Sequence, residues 1–343
     1  MNRTINLISD TVTRPTPGML QAMMRAEVGD DVFCEDPTVR LLEEKSADIL
    51  GHEAALFCPS GTMTNQIALK AHTRPLDEVI CDWMSHIYQY EVGAYAFHSG
   101  IGVNLIHTSR GILDAAQIEA AVRPRHDWLP VSRLVVIENS CNRGGGSVYT
   151  PEALREISAV CRRLGLALHL DGARLFNALA VSEISAREIG ALTDSVSLCL
   201  SKGLGAPVGS VLTGPRDWIA DCRRIRKAMG GGMRQAGYLA AAGIYALDHH
   251  VERLRDDHLH ARMLADVLAE LSYVRNLREV ETNIVIFDIA RPGGAAPFLS
   301  FLEKKGVRAA GFGPETVRLV THLDVTREMI EQACEALKTY ELG

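Results

Sequence analysis

No run of apolar residues in this chain comes near the roughly 20 that a membrane-spanning helix needs, which excludes a helical membrane span. Basic charge is not in excess either. The 36 Lys and Arg stand against 42 Asp and Glu, a net charge of −6, so nothing electrostatic points to nucleic acid or an anionic membrane as partner. The 8 cysteines never form a C-x-x-C pair, which argues against zinc or a redox dithiol, and no metal is expected. Most of them sit in apolar surroundings and read as small core residues. A reducing cytoplasm is the expected setting. "MNRTINLISDT" holds neither the apolar core of a signal peptide nor a lipidation motif. Internal repeats and low-complexity stretches are also lacking. What remains is an ordinary globular composition, 47% hydrophobic and 23% charged over 343 residues, long enough for one large domain and a small one.

The middle of the chain alternates between helical and strand patterns. "TMTNQIALKAH" (62–72), "HIYQYEVGAYAF" (86–97), "DAAQIEAAV" (114–122) and "TPEALREISAVCRRLG" (150–165) read as helices. The last has a Thr N-cap, Pro at the first helical position and a closing Gly. Between them "EVICD" (78–82), "VNLIH" (103–107), "RLVVIEN" (133–139), "LALHLDG" (166–172), "DSVSLCLSK" and "GSVLTG" read as strands. Such alternation predicts an α/β fold with a mostly parallel sheet and helices on both faces. Past about residue 215 the pattern becomes a long helical region. It then turns to "NIVIFDI" (strand), "AAPFLSFLEKKG" (helix), "TVRLVTH" (strand) and a helix from Arg327. We expect a large domain over 1–245 and a smaller C-terminal α+β domain over 246–343.

Ligands of open α/β sheets bind outside the carboxyl ends of the strands. There the chain places Asp171 and Arg174 after "LALHL", and Ser201 and Lys202 after "SVSLCL". A lysine at such a strand end is either a solvated terminus or a desolvated amine kept for chemistry. A carboxylate after "LALHL" would need a partner, because unpaired burial is costly. Ser60, Gly61 and Thr62 precede a helix. They make either an anion cradle or a plain N-cap. Together a lysine, a carboxylate and an anion cradle suit pyridoxal 5'-phosphate, which needs a Schiff-base amine, a partner for its pyridine nitrogen and a phosphate site. Asp171 and Lys202 are about one βαβ step apart.

At this point the chain resembles the L-threonine aldolases of the aspartate-aminotransferase-like (fold type I) enzymes. The likeness is carried by "ISDTVTRPT" (8–16), "GDDVFCEDPTV" (29–39), "FCPSGTMTNQ" (57–66), "HLDGARLFNA" (169–178), "SVSLCLSKGLGAPVGSVLTG" (195–214), "RKAMGGGMRQAG" (226–237) and "RLVTHLDV" (318–325). The resemblance implies a lyase, low-specificity for L-threonine and L-allo-threonine, that splits β-hydroxy-α-amino acids into glycine and an aldehyde. In it Lys202 carries the cofactor, Asp171 pairs with the pyridine nitrogen, and Arg174 lies near the ring oxygen and the substrate carboxylate. Ser60, Gly61 and Thr62 hold the phosphate, with Ser201 beside Lys202. His86 stacks on the ring and serves as base, as a neutral imidazole near its ordinary pKa of about 6.5. Ser9 and Arg318 bind the substrate carboxylate. Arg234 reaches a phosphate, often across a subunit boundary, in a homotetramer of dimers with shared sites. The alternative is another fold type I enzyme, a β-eliminating lyase or an aminotransferase.

Several of these residues keep a plainer reading. Ser9 could cap the turn before "RPTPG", and Arg234 could continue the basic run Arg223, Arg224, Arg226 and Lys227, read as a solvated helix face. The "GGGM" beside it suggests a tight approach to a ligand or partner. Glu91 could order the region after His86 or face solvent. Asp30, Asp31 and Asp36 look like a chelating set, but the resemblance makes them loop and interface residues. On the substrate side the chain departs from the family. "ENSCN" (138–142) has Cys141 where relatives commonly carry a histidine, and "RPRHDWLPVSRL" offers either His126 or Trp128 for a second one. Trp128 there would make the pocket more apolar and admit a bulkier aldehyde half, as in phenylserine.

Overall fold

The computed structural model describes residues 4–341. The strands in chain order are β1 (Ile5–Asn6), β2 (Ala54–Cys58), β3 (Asp77–Asp82), β4 (Gly102–Ile106), β5 (Val131–Glu138), β6 (Ala167–Gly172), β7 (Ser195–Cys199), β8 (Ser210–Gly214), β9 (Val274–Arg275), β10 (Ile284–Ile289), β11 (Val307–Arg308), β12 (Ala310–Gly311) and β13 (Thr316–Val320). Seven of them form one sheet in the order β2-β8-β7-β6-β5-β3-β4. Strands β4, β3, β5, β6 and β7 are parallel, while β8 is antiparallel to both of its neighbours. This is the mostly parallel sheet that the alternating pattern predicts. Its strands are continuous apolar runs because helices cover both faces.

The helix Pro151–Leu164 starts as its sequence indicates. Thr150 accepts a hydrogen bond from the Ala153 N–H, and Gly165 ends the helix at φ 67°. The pattern at 86–97 is resolved differently. One turn, His86–Gln89, is followed by a π-turn at Tyr95–Ser99, because Val92 and Gly93 are left-handed and break the helix. The long helical region divides into Arg216–Ala228, Gly237–His249 and Leu254–Ala269. The first break falls at "GGGM", where Gly231 lies against Met63 and Arg226, with no room for a Cβ. The close approach is thus to the chain itself.

A second, four-stranded sheet has the order β12-β13-β10-β9. Its core runs from Ala261 to Leu337 and also takes in Ile5 and Leu7. The N-terminal strand pairs in parallel with β11, so the start of the chain is packed into the C-terminal unit. The main core, from Met19 to Leu254, belongs to the large sheet.

Candidate active site

Register alone aligns the candidate residues along one edge. Glu138 at the end of β5 lies opposite Asp171 on β6, and Asp171 lies opposite Ser197 on β7. Cys199 at the end of β7 faces Ser210, which faces Cys58 at the end of β2. Lys202 and the start of the helix Gly61–His72 therefore leave the same edge. Ser60 caps that helix, accepting from the Met63 N–H at 3.2 Å. The plainer reading holds, and it is compatible with the other, because a capped helix start still turns N–H groups toward an anion. Next to Gly61 lies the buried Ser210 hydroxyl, which has no hydrogen-bond partner among the described residues.

Asp171 is buried, and the partner it needs is Asn65, whose amide donates to it at 2.7 Å. The same amide donates to Glu91 at 2.9 Å, and Gln66 donates to the other Glu91 oxygen at 2.6 Å. Glu91 in turn holds His86 Nδ1 at 2.8 Å. Glu91 thus orders this region from a buried position and does not face solvent. His86, Glu91 and Asp171 bring one donor atom each within 4.8 Å of the others. His86 was expected to keep an ordinary pKa. Burial opposes its charge, but the Glu91 hydrogen bond and the charges of Asp171, Glu91 and Glu138 outweigh burial and raise its pKa. With Nδ1 turned to Glu91, Nε2 is the nitrogen left for a ligand.

Beside this group opens a cavity of about 500 Å³, whose walls include Lys202, His86, Ser9, Arg174, Arg318 and Glu138. The plainer reading of Ser9 holds, and its place is also compatible with the other. It caps the turn Asp10–Val12 and it lines the cavity. Arg174 is buried, with its fork taken by Asp10 through two hydrogen bonds of 2.7 Å. Burial alone would raise the Asp10 pKa, but Arg174 outweighs it and holds the carboxyl far below the usual range. Arg318 is different. It donates to Asn142 at 2.8 Å and to the Ile8 carbonyl at 3.1 Å, but among the described residues it has no carboxylate partner and its buried Nε is unpaired. Burial and the nearby Arg174 push its pKa down to about 10. A guanidinium in a cavity wall without a carboxylate in direct contact is suited to receive one. Glu138, also buried, accepts from the His86 and Asn142 N–H groups at 3.0 and 2.8 Å. Burial and Asp171 raise its pKa.

Four expected residues lie elsewhere. His126 and Trp128 stack on each other, ring centroids 4.5 Å apart, in an exposed loop outside the cavity wall. Trp128 is 73% exposed. Cys141 is buried with its Sγ against Gly111, facing away from the cavity. It is the backbone bridge Cys141–Ser147 that fixes this direction. Arg234 pairs with Asp30 at 2.7 Å on the surface, away from this chain's own cavity. The basic run is also only partly solvated, since Arg226 is buried between the Phe57 carbonyl and Asp31. Asp31 opens the short turn Asp31–Phe33, and Asp36 ends the loop after it. Asp36 caps the helix Pro37–Leu50 and accepts from the Gly237 N–H. Sequence reasoning missed Asn65, Asp10, Asn142, Tyr90, Arg143 and Phe312. Only Asn65 carried a signal, lying one helical turn beyond Gly61 on the helix that starts there.

A model of the beta-eliminating lyase family matches residues 6–292. A probable low-specificity L-threonine aldolase 2 from Arabidopsis thaliana is 42% identical over 336 residues, 96% of this chain and 95% of its own. The low specificity L-threonine aldolase of Escherichia coli (strain K12) is 41% identical over 329 residues, 96% of each chain. Among solved structures, the threonine aldolase of Leishmania major superposes with a TM-score of 0.85 at 25% identity, covering 98% of this chain and 99% of that one.

Proposed function

The chain belongs to the threonine aldolases of the beta-eliminating lyase family, and from that premise we propose that it cleaves L-threonine, L-allo-threonine and related β-hydroxy-α-amino acids to glycine and an aldehyde. The cofactor of this reading is pyridoxal 5'-phosphate. The residues fit it: a lysine, a buried carboxylate held by Asn65 and a capped helix start share one sheet edge. Lys202 would hold its aldehyde carbon, Asp171 its pyridine nitrogen, and Ser60, Gly61 and Thr62 its phosphate. When bound, it supplies an electron sink for the substrate Cα.

The observation that carries the proposal is Arg318, a cation without a carboxylate partner among the described residues, in the wall of the same cavity as Lys202 and His86. Arg318, Asn142 and Ser9 orient the α-carboxylate. Arg174, neutralised by Asp10, keeps Asn142 in place from the other side, 3.5 Å away. His86 Nε2 accepts the β-hydroxyl proton as the Cα–Cβ bond breaks, and Glu91 fixes the ring for that transfer. A phenylserine preference gains no support from Trp128, which stands outside the cavity. For assembly we favour a homotetramer of dimers. Arg234 is exposed beside Phe33, itself 68% exposed, and would serve a neighbouring copy's phosphate site. A cytoplasmic setting fits eight free cysteines.

Incubation of the holoprotein with L-threonine should give glycine and acetaldehyde in equal amounts. Lys202→Ala should lose both turnover and the visible absorption of the bound cofactor. Pyruvate and ammonia, or amino transfer to a keto acid, would replace the aldolase reading with one of its fold type I alternatives.

A further inference from the structure

One cation of the cavity wall has no part in the reaction as proposed. Arg143 follows Asn142, and its guanidinium donates to the Tyr90 hydroxyl at 2.7 Å. It lies over Phe312 at 5.1 Å, and over Trp83 and Tyr90 at 5.8 Å each. Among the described residues it has no ion pair, whereas Arg174 and Arg110 are both matched by carboxylates. Arg278 grips its backbone carbonyl, so the loop that carries it is anchored. Stacking occupies the faces of a guanidinium and leaves its in-plane N–H donors for a ligand. Arg318 lies 4.9 Å from the same Phe312 ring, and it too lacks a carboxylate. One aromatic ring thus carries two unmatched cations into one cavity, close enough for the two ends of a short dianion to reach both. Their positions differ along the reaction axis. Arg318 sits with Ser9 and Asn142, the α-carboxylate side. Arg143 sits with Tyr90, whose ring is 5.5 Å from that of His86, the side on which the β-substituent leaves.

We propose that Arg143 forms a second carboxylate site and selects β-hydroxy-α-amino acids whose β-substituent ends in a carboxylate, 3-hydroxyaspartate being the shortest. This rests on the aldolase reading above. The cleavage balances without a further reactant. The Cα–Cβ bond breaks, the β-hydroxyl gives up its proton, and Cβ leaves as the aldehyde carbon of glyoxylate. The electron pair left at Cα takes up a proton to give glycine.

The test compares kcat/KM for 3-hydroxyaspartate and L-threonine in the unmodified protein, Arg143→Gln and Arg143→Lys. The hydroxyaspartate-to-threonine ratio should fall about 10- to 100-fold in Arg143→Gln, the size of a lost charge-assisted hydrogen bond. It should recover in part in Arg143→Lys, which keeps the charge but not the fork. In the unmodified protein succinate should inhibit threonine cleavage at least about tenfold better than butyrate, the same chain with one carboxylate fewer. That comparison decides the matter if Arg143→Gln does not fold. A ratio unmoved by Arg143→Gln, an equal loss on both substrates, or succinate no better than butyrate would overturn the second site while leaving the aldolase intact. Failure of the unmodified protein to cleave either substrate would overturn the aldolase reading, and the site with it.

Discussion

Glu91 shows how one buried carboxylate sets the chemistry of its neighbour. It holds His86 Nδ1 and shares Asn65 with Asp171, so it orders together the two residues proposed as base and as partner of the pyridine nitrogen. His86 is needed unprotonated if Nε2 is to accept a proton, and under the proposed role its raised pKa should make activity fall at higher pH than an ordinary histidine would. Glu91→Gln removes a charge that favours the imidazolium. The acidic limb of the kcat/KM profile for threonine should then move to lower pH, which a pH–rate series would measure. An unmoved limb with reduced kcat would mean that Glu91 only supports the fold. Lys202, Asp171 and Gly61 were legible because each is punctuated locally by a strand end or a helix start. Glu91, Asp10 and Asn142 were not, because their partners are far off in the chain and meet them only once the sheet is assembled. His126, Trp128 and Cys141 misled for the opposite reason. Position in a motif does not fix direction, and Cys141 is turned inward by its pairing with Ser147.

At the scale of elements, the turn Asp10–Val12 connects the N-terminal strand to the cavity. Ser9 caps it, Asp10 matches Arg174, and Asn283, just before β10, also donates to Asp10 at 3.3 Å. One three-residue turn thereby ties β6, the C-terminal sheet and the N-terminus together. Asp10→Asn would leave Arg174 buried with its charge uncompensated. The expected loss is about 3–5 kcal/mol of stability, measured by denaturant unfolding, with KM for threonine raised because Asn142 loses its support. A loss below about 1 kcal/mol would show that the pair is not a structural tie. The strands of the large sheet were legible from their unbroken apolar runs. The segment 86–97 was not, since its helical periodicity continues through Val92 while the backbone there turns left-handed. The inward pull of Glu91 on Asn65 and Gln66 accompanies that turn.

Across the whole molecule, the polar groups beneath the site continue as a chain through the large sheet. His72 and His169 both hydrogen-bond the Ser195 hydroxyl at 2.8 Å, and His169 reaches Asn65 at 3.3 Å. Neither histidine touches the cavity. Burial drives both pKa values down, His72 to about 4 and His169 to about 3. In the folded protein they remain neutral at pH 5, whereas in the unfolded chain they take up protons below about pH 6.5. Stability that both contribute is therefore complete above that pH and is lost as the pH falls, because only the unfolded state binds the protons. Each adds a slope of about 1.4 kcal/mol per pH unit between roughly pH 6 and the folded pKa. His72→Phe keeps an aromatic ring against Trp218, which His72 stacks on at 4.5 Å, and removes one titrating site. Its unfolding free energy should start lower, through the lost hydrogen bond to Ser195, but fall less steeply with acid, by about 1.4 kcal/mol per unit. Urea unfolding of both proteins from pH 7 to pH 4.5 measures the two slopes. Parallel slopes would mean that His72 takes up its proton in the folded protein as readily as in the unfolded chain, with the charge of Asp194 outweighing its burial.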